Sequence, residues 1–391
     1  MAFRVLLLSD LYPSQASPSG GVFVSNRIAA LRQLGVTVDA WAVRPVRSGI
    51  ASRIATWLGK TENRLLESGD FADLAVGMNT REYLSGLRGW VPRRAVRRAA
   101  DLLLSRIDIE RYDVLLAHGM YMLPAGGIAH EVSRRTRIPF VVAAHGSDIN
   151  HMMPRRKQYY ATIMGSAARA IFVSEALRKK AGSLGYSGTN TLVIPNGVDT
   201  RQFDPGLRAD ARRQLGLGPS SKLVTFVGNL AVVKGIDRLP EIFARLHSEV
   251  TGIEFVVVGD GPEERRLREG LAGLPAHILG RLPASGVAAT MAASDVLVLP
   301  SRNEGWPCVI LEAYSTGTPA VGSDVGGVAE AIADSQRVVA PGDDFPKRFA
   351  DVVARTLVSE VDVGALRQRA LGNDWSCIAR LEFEALVAAT S

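Results

Sequence analysis

The sequence predicts an α/β protein built from two Rossmann-like domains, and three observations carry that expectation. Its 391 residues exceed one ordinary domain. Short apolar runs alternate with helical stretches along both halves, the rhythm of parallel βαβ units. Between the halves, Leu192-Val193-Ile194-Pro195-Asn196-Gly197-Val198-Asp199 reads as a strand ending in an Asn-Gly turn. Two similar α/β halves joined by so short a linker imply a cleft.

The first half opens with a strand over Arg4 to Leu8, then a polar loop ending in Gly20-Gly21. Val22 to Leu34 follows as a helix stopped by Gly35. Strands are expected at Val36 to Val43, Tyr112 to Leu116 and Phe140 to Ala144. Ala170 to Val173 adds another, before a helix from Ser174. The second half repeats the pattern, with strands at Leu223 to Val227, Glu254 to Val258, His277 to Leu279, Asp295 to Leu299 and Pro319 to Gly322. Helices are expected from Asp237, after Pro262 and after Gly326-Gly327.

Composition narrows the class. At 47% apolar and 22% charged residues, the chain is globular rather than disordered. No run approaches 18 uninterrupted apolar residues, so no transmembrane helix is expected. The start, MAFRVLLLSD, has too short an apolar run for a signal peptide. Cys308 and Cys377 fit a reducing compartment and have no metal-binding spacing. A cytoplasmic protein follows as an expectation. Charge is uneven: residues 1–200 carry 26 Lys and Arg against 15 Asp and Glu, while the remainder is net acidic. A basic first half suggests an anionic partner. Within it, Val91 to Ile107 is amphipathic. Val91, Ala95, Ala99, Leu102 and Leu103 fall on one helical face, and Arg93, Arg94, Arg97 and Arg98 on the other. Such a helix either packs on the sheet with its basic face solvated or, beside Trp90, lies on the inner face of an anionic membrane. No nucleic-acid partner is expected.

The most informative residues are Glu304 and Glu312. Asp295 to Pro300 is a buried strand by its apolar run. Pro307 fits the first turn of a helix, where its missing N–H costs nothing. Glu304 then lies on the strand-to-helix loop and Glu312 on the helix. Ligands of open α/β sheets bind at that edge, beyond the carboxyl ends of the strands. Two carboxylates there suit a hydroxyl-rich substrate, since each accepts two or more hydrogen bonds. Gly20-Gly21 allows backbone N–H groups to approach a diphosphate closely. Lys234, beside Gly235, is a cation just ahead of a helix. His145 and His118 each end a strand, and Asp148 either binds a hydroxyl or caps the next turn.

The ordered set Ile194-Pro-Asn-Gly-Val-Asp199, Val227-Gly-Asn-Leu-Ala-Val-Val-Lys-Gly235, Val258-Gly-Asp-Gly-Pro262, Glu304 with Glu312, and Gly317-Thr-Pro-Ala with Gly326-Gly327 resembles the retaining family-4 glycosyltransferases of the GT-B fold. The wording Val-Gly-Asn-Leu and Glu-Gly-Trp-Pro is most similar to transferases of teichuronic acid and exopolysaccharide assembly. The resemblance implies domains over 1–195 and 196–374, facing each other across a cleft, with a helix over 375–391 crossing back to the first. It implies sugar transfer with retention from a UDP- or GDP-linked donor to a glycan or lipid-linked glycan, with no metal or other cofactor. It gives catalytic roles to His145 and Glu304. Donor binding falls to Gly20, Gly21, Asn229, Lys234, Arg281, Gly305, Trp306, Pro307 and Glu312, with Glu312 on the ribose. His118 and Asp148 fall on the acceptor side. The family places an Arg where this chain has Asn229, and Arg281 is the candidate to replace its charge.

Three other readings stand beside this one. A dinucleotide-dependent oxidoreductase would carry Gly-x-Gly-x-x-Gly after the first strand, where this chain has Ser9-Asp10-Leu11-Tyr12. A GT-B epimerase or phosphorylase shares the motifs. A donor-dead partner subunit of a polysaccharide assembly complex draws its support from Asn229.

Overall fold

The computed structural model describes residues 2–15, 20–47, 65, 70–87, 90–218 and 221–391. Positions 16–19 of the expected polar loop therefore lie outside the described residues. The chain divides into two compact units, residues 1–195 with 375–391, and residues 196–374.

The first unit is built on a seven-stranded parallel sheet. Its strands are β1 (Arg4–Ser9), β2 (Thr37–Arg47), β3 (Phe71–Met78), β4 (Val114–His118), β5 (Phe140–Ala144), β6 (Arg169–Phe172) and β7 (Thr191–Val193). They lie in the order β3-β2-β1-β4-β5-β6-β7. Val5 to Leu8, Val114 to Ala117 and Phe140 to Ala144 are buried without alternation. A sheet covered by helices on both faces demands that pattern, and it is why these runs were legible as strands. The order reverses between β1 and β4, so the connections after these strands leave in opposite directions and open a crevice at their carboxyl ends. Helix α1 (Val22–Gln33) follows β1 there.

The β2–β3 pairing differs from expectation, and the 91–107 segment takes the packed-helix alternative. Strand β2 runs on to Arg47 through Pro45, and β3, not foreseen, pairs with it from Ala40↔Phe71 to Arg47↔Met78. As an edge strand β3 buries only Leu74, Val76 and Met78 fully, so it lacks the continuous apolar run that marks central strands. The amphipathic segment forms helix α2 (Arg93–Leu104). Its apolar residues Ala95, Val96, Ala99, Ala100 and Leu103 are buried in the unit, against β3 and helix α3 (Ala125–Thr136). That stripe is spent on the protein's own core and is closed to a lipid bilayer.

The second unit has six parallel strands: β8 (Lys222–Val227), β9 (Ile253–Val258), β10 (Ala276–Gly280), β11 (Val296–Leu299), β12 (Ala320–Ser323) and β13 (Val338–Val339). Their order is β10-β9-β8-β11-β12-β13, which reverses between β8 and β11. The two-residue β13 was too short to read from sequence. Helix α4 (Cys308–Ser315) follows β11, with Pro307 at its cap rather than inside its first turn. The helix expected from Asp237 begins as a 3-10 turn, Ile236–Arg238, before Leu239–Glu249.

The C-terminal helix α5 (Trp375–Thr390) belongs to the first unit. Trp375, Ile378, Ala379, Ala385 and Leu386 join the core formed with Val24, Ile28 and Leu31 of α1. Glu382 sits in the same stripe and is fully buried. It pairs with the equally buried Arg27 of α1, Nη1 to Oε1, at 2.7 Å. Arg27 also donates to the carbonyl oxygen of Pro195 at 2.8 Å. A buried pair of this kind adds little net stability but resists the loss of one partner, which leaves a bare charge.

Candidate active site

In each unit the sequence-predicted residues gather where the strand order reverses. In the second unit, the loop after β8 holds Gly228 and Asn229 and ends in the turn Val232–Lys234. The loop after β11 holds Ser301, Glu304, Gly305, Trp306 and Pro307. Lys234 Nζ donates to both carboxylate oxygens of Glu304, each at 2.8 Å. Ser301 Oγ donates to Oε1 of the same carboxylate at 2.7 Å. Glu304 is 7% exposed, so the ion pair is held largely away from water.

Two glycines make this approach possible. Gly235 has φ +72°, and a Cβ there would collide with the carbonyl of Pro300 at the end of β11. Gly326 has φ +54°, and its Cβ would collide with the carbonyl of Glu304. Any other L-residue at either position would be strained in backbone and would push the Lys234 and Glu304 loops apart.

Glu312 lies half-buried on α4, and its carboxylate has no hydrogen-bond partner among the described residues. Burial raises its pKa to about 7. The indole Nε1 of Trp306 is enclosed and likewise unpartnered. Buried polar groups are nearly always satisfied, so the enclosed indole N–H of Trp306 is an exception within the described residues. Asn229 is exposed, with Gly261 packed against its amide oxygen. Arg281, the candidate to replace the missing charge, is engaged with Asp260 at 2.9 Å.

In the first unit the cluster forms beyond β1, β4 and β5. His118 is the last residue of β4 and is fully buried. His145 follows β5 and is half-buried. Their rings meet, His118 Nδ1 to His145 Nε2, at 2.9 Å. Phe23 of α1 packs on His145 with ring centroids 4.7 Å apart. Burial drives both histidines well below their usual pKa; His118 lowers His145 further, and the Arg27 cation lowers both. Both imidazoles are therefore neutral at pH 7. Gly21 precedes α1 in the left-handed conformation, and no side chain among the described residues caps the helix.

Asp148 accepts from the backbone N–H groups of His145, Gly146 and Ile149 at 3.0, 2.8 and 2.9 Å. Both oxygens accept from the backbone of the loop that carries His145. Sequence reasoning passed over Asp10, Arg27, Ser301 and Glu382. Asp10 follows β1, accepts from Tyr121 N at 2.8 Å, and burial with nearby Asp148 raises its pKa to about 8. Its place right after a switch-point strand was an available signal. Arg27 and Glu382 could have been found as charges set within apolar helical stripes.

Among the described residues, no three His, Cys, Asp or Glu side chains converge to hold a metal ion. None of the described helices is long and apolar enough to cross a membrane.

Residues 20–202 match the model of Glycosyltransferase Family 4, and residues 221–359 that of Glycosyl transferases group 1. A D-inositol 3-phosphate glycosyltransferase of Geodermatophilus obscurus is 31% identical over 393 residues, covering 93% of this chain and 83% of the relative. The chain belongs to the family-4, group 1 glycosyltransferases. A putative teichuronic acid biosynthesis glycosyltransferase of Bacillus subtilis, TuaC, is 29% identical over 343 residues, 86% of this chain and 85% of that one. Among solved structures, Anabaena HepE, determined with UDP and glucose, superposes with TM-score 0.71 at 19% identity, over 99% of this chain and 100% of that one. Sucrose-phosphate synthase from Thermosynechococcus elongatus gives TM-score 0.72 at 18% identity, covering 98% of each chain. This glycosyltransferase therefore has the GT-B fold, with one switch-point crevice in each unit.

Proposed function

We propose that this glycosyltransferase moves a sugar, with retention and without a metal, from a nucleoside diphosphate sugar to a glycan or lipid-linked glycan in cell-envelope or extracellular polysaccharide synthesis. The observation that carries this reading is the Lys234–Glu304–Ser301 cluster, with the unpartnered Glu312 carboxylate on the following helix. An ammonium has three donors. Two reach Glu304, so Lys234 keeps one for a phosphate oxygen. Glu304 would orient sugar hydroxyls, and Glu312 would take those of the ribose.

In the reaction the bond from the anomeric carbon to the leaving phosphate oxygen breaks, and the acceptor oxygen bonds that carbon on the same face. The acceptor proton passes to the leaving phosphate. Lys234 and helix N-termini offset the charge developing on the diphosphate. A neutral His145 is compatible with an oxocarbenium-like centre, where an imidazolium would repel the developing positive charge. The named relative in teichuronic acid synthesis supports the cell-envelope setting.

For the acceptor we assign a lipid-linked glycan met at the cytoplasmic face of an anionic membrane. Supporting this, Trp90 is 73% exposed and borders a groove with Arg93, Arg155 and Lys157. Those three cations, with Arg94 and Arg97, are exposed. Sedimentation with vesicles of anionic phospholipid, but not with phosphatidylcholine vesicles, tests it.

A thermal-shift panel of nucleotide sugars tests the donor, since a ligand that binds only the folded state raises its stability with concentration. Lys234→Ala and Glu304→Gln should each abolish transfer while leaving the fold intact; full activity in both would sink the assignment. The donor-dead reading is favoured by one observation, the uncharged Asn229 with Arg281 engaged elsewhere, and measured donor turnover excludes it. Product analysis without acceptor separates transfer from epimerisation.

A further inference from the structure

The hydrogen bond between the two histidines continues into the first unit's interior. His118 Nε2 faces Glu382 Oε1 at 3.9 Å. That same oxygen accepts from Arg27 at 2.7 Å. The series thus runs from α1, through α5, to the ends of β4 and β5. His118 Nε2, His145 Nδ1 and Glu382 Oε2 are all enclosed without hydrogen-bond partners.

Two neutral imidazoles joined by one hydrogen bond have two arrangements. In the first, His145 Nε2–H donates to the bare Nδ1 of His118, whose own proton is on Nε2 and points to the carboxylate. His145 Nδ1 is then a bare acceptor. In the second, His118 Nδ1–H donates to His145 Nε2. His118 then turns a lone pair toward the carboxylate oxygen, and His145 carries its proton on Nδ1. Burial pulls the Glu382 pKa up and Arg27 pulls it back down; with Arg27 keeping it a carboxylate, the first arrangement sets an N–H dipole against negative charge, and the second sets a lone pair against it. In a fully buried site that difference is weakly screened.

We propose that Glu382, held by Arg27, is a positioning residue that selects the first arrangement, so that His145 offers an acceptor at Nδ1. A tautomer set by the bond its other nitrogen makes is a general property of histidine. Once uncovered, the enclosed Nδ1 is satisfied by a hydroxyl that donates to it, as a sugar does and a fully ionised phosphate does not. That consequence rests on the glycosyltransferase reading, whereas the tautomer itself does not.

The test is long-range proton–nitrogen correlation spectroscopy of the ¹⁵N-labelled full chain at pH 7. The chain has six histidines, so His118→Gln and His145→Gln suffice to assign these two. Both rings should carry the proton on Nε2. In Glu382→Gln the side-chain amide can donate to His118 Nε2, and both rings should switch to Nδ1–H. Glu382→Asp should keep the wild-type pattern. Turnover of the donor chosen by the thermal panel should fall roughly 10–100-fold in Glu382→Gln, the usual effect of removing a group that orients another, with little change in KM. A wild-type His145 protonated on Nδ1, or unmoved tautomers in a folded Glu382→Gln, overturns the proposal. If Glu382→Gln does not fold, the wild-type spectrum alone decides. Wrong tautomers with intact donor turnover reject only this inference, while Nε2–H tautomers without nucleotide-sugar binding reject only the transferase reading.

Discussion

Donor binding to this glycosyltransferase should release a proton from Glu312. Its carboxyl has a pKa of about 7, against an ordinary value of 4.5. Because the folded value is raised, stability falls as pH climbs from 4.5 to 7, and above 7 the penalty is complete. At 1.36 kcal/mol per unit the penalty is about 3 kcal/mol. Ribose hydroxyls that donate to the ionised carboxylate offset part of that cost, so a bound donor pulls the pKa back down. At pH 6 about nine-tenths of the free protein carries the proton, and at pH 8 about one-tenth. Calorimetric titration of UDP-glucose and GDP-mannose in buffers of different ionisation enthalpy measures the release. Nucleotide sugars are the right probes, because their diphosphate diesters do not titrate in this range. For whichever sugar binds, release near one proton at pH 6 should shrink toward zero at pH 8. Affinity should rise up to roughly tenfold per unit below pH 7 and then level off. Glu312→Gln should abolish the release and be more stable than wild type at pH 8. Proton release that persists in Glu312→Gln, or affinity independent of pH, refutes the role given to Glu312.

Other outcomes follow from the same geometry. Lys234→Ala leaves Glu304 buried without its cation; donor turnover should fall roughly 100-fold or more, as when one stabilising donor is removed from a reacting centre, measured by release of nucleoside diphosphate. Gly326→Ala should reduce turnover as severely while changing no polar group, because its Cβ collides with the Glu304 carbonyl; wild-type kinetics would remove the steric argument. Arg27→Leu alone should lose roughly 3–5 kcal/mol in urea unfolding, whereas Arg27→Leu with Glu382→Leu should recover most of it. Equal losses in single and double variants would show that the pair is not a closed electrostatic unit. Replacing Arg93, Arg94 and Arg97 together by Gln should weaken sedimentation with anionic vesicles at least tenfold and leave the melting temperature within a few degrees, since all three are exposed.

The central strands and the second unit's loop motifs were legible because each is local. Val5 to Leu8 or Phe140 to Ala144 announces a doubly covered strand by composition alone, and Glu304 and Glu312 are placed by a strand, a proline and a helix in one short stretch. What escaped were features whose cause lies far away in sequence. Strand β3 is specified by its partner β2 rather than by its own weak pattern. The apolar stripe of α2 could be read as facing either the sheet or a membrane, because nothing in residues 91–107 announces that α3 and β3 will cover it. Ser301 looked like an ordinary loop serine until Lys234 and Glu304 closed on it. Arg27 and Glu382 are 355 positions apart, and neither could be paired with the other from spacing.

The two crevices use charge in opposite ways, and their chemistry suggests why. In the second unit Glu304 keeps its cation at 2.8 Å and stays tied to it, which would suit a region that meets phosphate charge. In the first unit burial works against charge: His118 and His145 are held neutral, and Asp10 retains a proton up to about pH 8. A neutral region of this kind would not repel a carbon acquiring positive character. It acts instead through which atoms carry hydrogen. In that setting a single buried carboxylate at Glu382 has leverage, because reversing one hydrogen bond exchanges donor for acceptor at His145 without moving a heavy atom. A substitution at Glu382 that preserved the fold and the donor affinity but inverted the tautomers would therefore separate binding from transfer, which no substitution at Lys234 or Glu312 can do.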